Sequence, residues 1–290
     1  MSQDELAQQF ERITPRMLFA VTFAALLVGR STVLVDPPYW DALMGAFPQG
    51  LWLSRHGFDV LALLTKQHTF VDGGPNVYPF SVYPLLVGLL YKLGFAPRVV
   101  FSVLHVVSFA CAAGATTALY RFAKRALPTS WALGAALVFA IAPLTQSLSV
   151  QMNMDMPLAL CTLSSALALA EGRWRSASWW SLAGILIKPT AIIGIAANIA
   201  WLVLRRCFSR DEVRERGERT ALWIHAALLV LFVLEIGLLG IFARGPAFVD
   251  PLGGWRNLFG RRIWVIPEFG VCLLAFLLCV PNYVRRWRRH

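Results

Sequence analysis

Long apolar stretches, separated by short polar or basic ones, dominate this chain. They occupy residues 17–35, 80–95, 98–122, 131–149, 155–170, 176–204, 220–243 and 263–281. A helix needs about 20 apolar residues to cross the hydrocarbon of a bilayer, and most of these runs reach or approach that length. The runs are continuous; they do not alternate in ten-residue segments, which argues against a membrane β-barrel. The pattern therefore predicts an all-α, polytopic transmembrane helical bundle. No linker or low-complexity tract divides it, so residues 1–290 read as a single transmembrane domain with no separate soluble domain. The N-terminal MSQDELAQQFERITPRM is polar, and the run after it is long enough to be retained as an anchor.

Basic residues punctuate the runs in four clusters. These are Arg121, Lys124 and Arg125; Arg173 and Arg175; Arg205, Arg206, Arg210, Arg214, Arg216 and Arg219; and Arg285, Arg286, Arg288 and Arg289. Loops on the cytoplasmic side carry an excess of Lys and Arg, so all four clusters are expected inside. Simple alternation of spans breaks this pattern twice. Two adjustments restore it. Residues 80–95 are short and are expected to dip into the membrane or lie at its surface, leaving 98–122 as the crossing. Residues 176–204 are long and contain Lys188-Pro189. Proline removes a donor and disfavours helical geometry in the residue before it. This run is expected to be two half-length helices that enter and leave from the cytoplasmic side, with Lys188 at the turn.

The loop 36–79, the segment 150–155, Lys188 and the loop 244–262 then face the outer compartment. Backbone without regular structure cannot face lipid, so the first outer loop, with interfacial helices, is expected at the surface or in a protein-lined cavity. Asp36, Asp41, Asp155 and Lys188 converge there. Ionisable groups at membrane depth usually mark a pathway or a site. Carboxylates with a lysine suit a general base acting beside a cation that holds phosphate. Each residue also has a plainer role. Asp36 and Asp155 suit helix starts, Asp41 a solvated carboxylate, Lys188 a snorkelling side chain and Asp72 a turn before Gly73-Gly74. His56 and His68 suit an ordinary loop, and Trp40, Trp52 and Tyr78 an aromatic belt. In the last outer loop Trp255, Arg256, Arg261 and Arg262 break the charge bias, and arginine's planar fork matches phosphate oxygens.

Composition adds little to this reading but excludes alternatives. The chain is 57% hydrophobic and 15% charged, with a mean hydropathy of +0.59 and a formal net charge of +11. The positive charge sits in short clusters between apolar spans, so nucleic-acid binding is not expected. Cys111, Cys161, Cys207, Cys272 and Cys279 show neither a CxxC pair nor metal-ligand spacing, and read as small core residues.

The motifs carry a resemblance. PPYWDALMGAFPQGLWLSRHGFD at 37–59 resembles the first outer loop of GT-C superfamily glycosyltransferases, nearest to the glycosyltransferase family 39-like branch of protein O-mannosyltransferases and the lipid A aminoarabinose transferase. Asp41 matches that branch's aspartate, and Ala42 stands where a glutamate is usual. Pro79 to Pro84, PFSVYP, is similar to a His-Pro-Pro-Leu element without the histidine. Met154 to Leu158, MDMPL, is similar to an Asp-x-Pro-Leu element. Gly184 to Pro189, GILIKP, is similar to an element that ends in lysine. Asp72 to Pro79, DGGPNVYP, resembles a loop of dolichol-phosphate-mannose users. Together these cover about residues 17–205.

The resemblance implies sugar transfer, with inversion, from a polyprenyl-phosphate carrier to a lipid, glycan or protein acceptor at the outer face. A mannose donor follows by analogy. Asp41 would be the base, with Asp36 in reserve, and Asp155 would orient the acceptor or the base. Lys188 would contact the donor phosphate, with Arg256, Arg261 and Arg262 as further candidates. Trp40, His56, Asp72 and Tyr78 would contact the acceptor or shape the loop. The resemblance names no certain cofactor and leaves room for a divalent metal. It implies a multi-pass protein among membrane lipids, in a bacterial inner membrane with an extracytoplasmic site. Members of the branch are usually longer, so the chain is expected to be short at its C-terminus. The alternative is a non-catalytic polyprenyl-phosphate-binding or translocating protein, or a partner subunit. An ion-coupled transporter would need paired broken helices in both halves, whereas the sequence offers one break.

Overall fold

A computed structural model describes residues 11, 13–37, 47–60, 62, 82–152, 154–208 and 216–243. Among them are ten α-helices and no strand. We label them α1 (Pro15–Gly29), α2 (Phe47–Arg55), α3 (Val82–Lys92), α4 (Pro97–Ala123), α5 (Thr129–Ile141), α6 (Pro143–Val150), α7 (Asp155–Ala170), α8 (Trp174–Ile187), α9 (Ile192–Phe208) and α10 (Arg216–Ala243). The chain divides into two units, residues 1–238 and 239–290. The contacts below belong to the first.

Local chemistry sets the ends of several helices. The Thr14 hydroxyl accepts from the Met17 amide, with Pro15 opening α1, a pairing suited to a helix start. Pro97 opens α4 in the same way. A 3-10 turn over Ser31–Val35 follows α1 and ends at Asp36.

Among the described residues, α4 and residues 217–234 of α10 are long and apolar enough to cross a membrane, and α5 with α6 adds a third candidate if the bent pair is one span. The run 131–149, expected as one segment, is bent by 52° between them. Ala142 is extended before Pro143 (φ −54°, ψ 134°), as the residue before a proline tends to be. The Gln146 side chain donates to the Ala140 carbonyl at 2.6 Å, supplying a partner at the break. The helices α1, α3 and α7 are apolar but shorter, at 15, 11 and 16 residues.

The expected break at Lys188-Pro189 is present. Lys188 is extended (φ −151°, ψ 131°) and ends α8. After a 3-10 turn over Pro189–Ala191 the chain returns as α9. The Arg205 guanidinium near the end of α9 lies 5.2 Å from the centre of the Trp174 ring, which opens α8. The two helices thus form an antiparallel hairpin.

Buried contacts separate the bundle into two ends. At one end Tyr120, late in α4, donates to the Ile13 carbonyl before α1. Glu171, after α7, accepts from Arg121 at 2.7 Å and also pairs with Arg173. Ala168, Leu169, Trp174, Ala177, Leu202 and Ala221 pack together beside them. Arg121, Arg173, Arg205 and the start of α10 therefore share this basic end. At the other end Phe47, Tyr83, Val87, Leu90, Val100, Leu104, Met152 and Met154 form one apolar cluster, with Ile187 against it. Between the ends, Ser165, Ser181, Asn198 and His225 form a buried polar network across α7, α8, α9 and α10.

Of the cysteines described, Cys161 is buried and Cys111 partly so, as expected of small core residues, but Cys207 is exposed. It sits next to the last residue of α9.

Candidate functional site

The end opposite Arg121 and Arg173 carries Asp36, Asp155 and Lys188, the described ones among the charged residues that the sequence singles out. Asp155 is the first residue of α7, with Met154 as its cap. Lys188 is the residue that ends α8. Proline at 189 forces the chain out of helix there, and so presents the lysine at a helix terminus. A helix N-terminus favours a carboxylate and a C-terminus a cation, so each charge occupies the end that suits it. The two side chains meet: Lys188 Nζ donates to Asp155 Oδ1 at 2.7 Å, with the side chains 14% and 24% exposed.

A pair this far from full exposure is held more tightly than a surface ion pair. An ammonium has three N–H donors, and the bond to Asp155 uses one. The rest can meet a second anion. Beneath the pair lies the apolar cluster of α2, α3, α4 and the segment leading into α7. The Tyr83 hydroxyl of α3 donates to the Met152 carbonyl, three residues before Asp155. That bond ties the short helix to the backbone that carries the carboxylate. Burial pushes the Tyr83 phenol well above its ordinary range, so it remains a donor.

Asp36 lies at the same end, exposed after the 3-10 turn. Ser102 of α4 donates to the Leu34 carbonyl at 3.0 Å and holds that turn against the first turns of α4. His105, one turn further along α4, is 1% exposed and lies within electrostatic reach of Asp36. Its ring nitrogens make no hydrogen bond of full geometry with the described residues, although the Asp36 backbone is within reach.

His56 is exposed in the turn after α2. Its Nδ1 lies 2.8 Å from the Trp52 carbonyl and its ring stacks on Trp52 at 4.2 Å. Its described contacts are thus local. Trp40, Asp41, Asp72, Tyr78, Arg256, Arg261 and Arg262 lie outside the described residues. Among the described residues no three His, Cys, Asp or Glu groups come together as metal ligands would.

Sequence reasoning passed over His105 and took Tyr83 only as a member of the PFSVYP element. His105 looks like an ordinary member of an apolar helix, and nothing in the sequence pairs Tyr83 with Met152. Their helix partners show only in three dimensions, at the end where Asp155 and Lys188 meet.

The family model of dolichyl-phosphate-mannose-protein mannosyltransferases matches residues 82–236, more than half of the chain. The chain belongs to this family. It is thus a GT-C-type membrane glycosyltransferase, all-helical among its described residues, as the sequence pattern indicated. The match begins at α3, ends within α10, and contains both Asp155 and Lys188. No curated protein and no solved structure matches the chain.

Proposed function

We propose that this glycosyltransferase moves a sugar from a polyprenyl-phosphate carrier to a lipid, glycan or protein acceptor on the extracytoplasmic face of the membrane, with inversion. The observation that carries this reading is the Asp155–Lys188 pair, lodged at helix ends inside the segment the family model matches. The basic end of the bundle is cytoplasmic in this proposal, following the positive-inside bias. The pair then sits at the outer surface, where a lipid-borne phosphate can reach it.

Asp155 holds Lys188 in place, and the remaining ammonium donors bind the donor phosphate. Negative charge grows on that phosphate as the sugar–phosphate bond breaks, and a fixed cation stabilises it without reorganising. The leaving phosphate then needs no proton, so a single base on the acceptor suffices. Asp41 takes that role, with Asp36 in reserve. The base removes the acceptor proton, the acceptor oxygen attacks the anomeric carbon from the face opposite the phosphate, and the configuration inverts. Arg256, Arg261 and Arg262 are further candidates for the phosphate.

The test incubates the purified chain with a panel of labelled polyprenyl-phosphate sugars and follows release of carrier phosphate. Release by the wild-type chain and a loss of about 10²–10⁴-fold in Asp41→Asn, the range for a general base, support the proposal. Binding of carrier without release from any donor would favour the non-catalytic reading. Unchanged release in Asp41→Asn would remove that aspartate from the mechanism.

A further inference from the structure

The basic end holds a feature that sugar transfer does not use. A cavity of about 780 Å³ opens between the start of α8 and the start of α10. Arg173, Arg175 and Ser176 line one side, and Gly217, Thr220 and Ile224 the other. Its volume falls within the range of small-molecule sites. The helices leave this space because they touch just beside it. A Cβ on Gly217 would come 2.4 Å from Trp174 Cδ1, so glycine lets α10 rest against the indole at the edge of this space.

The electrostatics of the cavity favour an anion. Arg173 and Arg121 share a single carboxylate, Glu171, which leaves excess positive charge. Arg175 is exposed and has no ion-pair partner among the described residues. Arg205 adds a cation over the neighbouring Trp174 ring. No carboxylate is among the described residues that line the space. Glu218 is adjacent in sequence but buried and not part of the lining.

Lipid, rather than free anion, is indicated one helical turn away. Trp179 and Trp223 are each 70% exposed. Trp179 follows Arg175 by four residues and Trp223 follows Thr220 by three, so each lies on the same helix face as a lining residue. They stand one turn nearer the middle of the bundle. Tryptophan concentrates at the headgroup level of bilayers, and basic pockets between membrane helices on the cytoplasmic side suit anionic headgroups. We propose that this cavity binds the phosphate of an anionic phospholipid. Arg173 and Arg175 grip the headgroup, and the acyl chains run along Trp179 and Trp223. The site is distinct from the Asp155–Lys188 pair, which lies at the other end of α8, about 21 Å away along a helix of 14 residues.

The test measures thermal unfolding of the full chain in detergent with phosphatidylglycerol, phosphatidylcholine or inorganic phosphate added. Native mass spectrometry counts retained lipid alongside. The expected result is a rise of several degrees with phosphatidylglycerol and one retained molecule. Arg175→Gln should lose at least half of that rise, and Arg125→Gln, at the same end but outside the lining, should keep it. Ser176→Trp, which fills the cavity without removing charge, should lose the rise as well, and it serves if Arg175→Gln fails to fold. An equal rise with inorganic phosphate alone would make this a free-anion site and overturn the lipid assignment. An equal rise with phosphatidylcholine, or an equal loss in Arg125→Gln, would reduce the effect to general membrane or surface-charge affinity and overturn it too.

Discussion

At the scale of single residues the protein places charge where helix ends accept it. Asp155 opens one helix and Lys188 closes another, and their 2.7 Å contact joins the two. Removing one partner leaves the other without its counter-charge in a partly buried place. Asp155→Ala is therefore expected to destabilise the chain by about 1–3 kcal/mol, between the values for exposed and buried pairs. Asp155→Ala with Lys188→Met should recover part of that loss, as chemical denaturation would report. His105 behaves oppositely. It is buried with neither ring nitrogen in a full-geometry hydrogen bond to a described residue, so replacing it removes two polar atoms and, at most, a weak contact with the Asp36 backbone. His105→Phe is expected to hold or raise the melting temperature, since burying an unsatisfied polar group costs stability. A fall of several degrees would show that the ring has a partner.

At the scale of elements, close approach of helix backbones depends on small residues. A Cβ on Gly50 of α2 would come 2.6 Å from the Val87 side chain and 2.8 Å from the Pro84 carbonyl, and one on Gly88 of α3 would meet the Gly50 carbonyl at 2.8 Å. Small residues allow such packing inside membranes. Gly50→Val and Gly88→Val are each expected to separate α2 from α3, loosening the apolar floor beneath Asp155. Protease cleavage within α2 and α3 is the readout, and no gain in cleavage there in either variant would contradict the packing described.

The polar network of Ser165, Ser181, Asn198 and His225 joins four helices in a different way, by hydrogen bonds of 2.8–3.4 Å. A double-mutant cycle over Ser181→Ala and His225→Phe is expected to give a coupling of about 0.6 kcal/mol and no more than about 1.7, the range found for such bonds in a membrane protein. The hairpin that carries Ser181 and Asn198 was legible in the sequence, because Lys188-Pro189 interrupts an apolar run too long for one span. The network was not. Its members are scattered over 60 positions of four helices, and a serine in an apolar run gives no sign of its partner. The bend before Pro143 was missed for a simpler reason: the run 131–149 has the length of a single span, and length outweighed the proline.

At the scale of the larger unit, one end holds Arg121, Arg173 and Arg205 and the other the acid–lysine pair. Composition and apolar runs were enough to give the helical membrane class, and four short motifs in order pointed to the superfamily that the family model supports. Trp40, Asp41, Asp72 and Tyr78 of the first outer loop and Arg256, Arg261 and Arg262 of the last lie outside the described residues, so the part of the site legible in three dimensions is chiefly the part built on helix ends. The arrangement predicts sidedness. In a cysteine-free background, Arg98→Cys and Lys124→Cys at the two ends of α4 should react with a membrane-impermeant thiol reagent from opposite faces. Position 98 should be reached from outside the cell. Labelling of both from one face would contradict the orientation.

Lys188 is the group proposed to meet the carrier phosphate. The direct measurement is the affinity of the purified chain for polyprenyl phosphate and for the corresponding polyprenol, which lacks the phosphate. Lys188→Gln should weaken binding of the phosphate by about 10–100-fold, the loss of a hydrogen bond to a charged group, while leaving the polyprenol unaffected. Equal affinity of the two proteins for polyprenyl phosphate would contradict it.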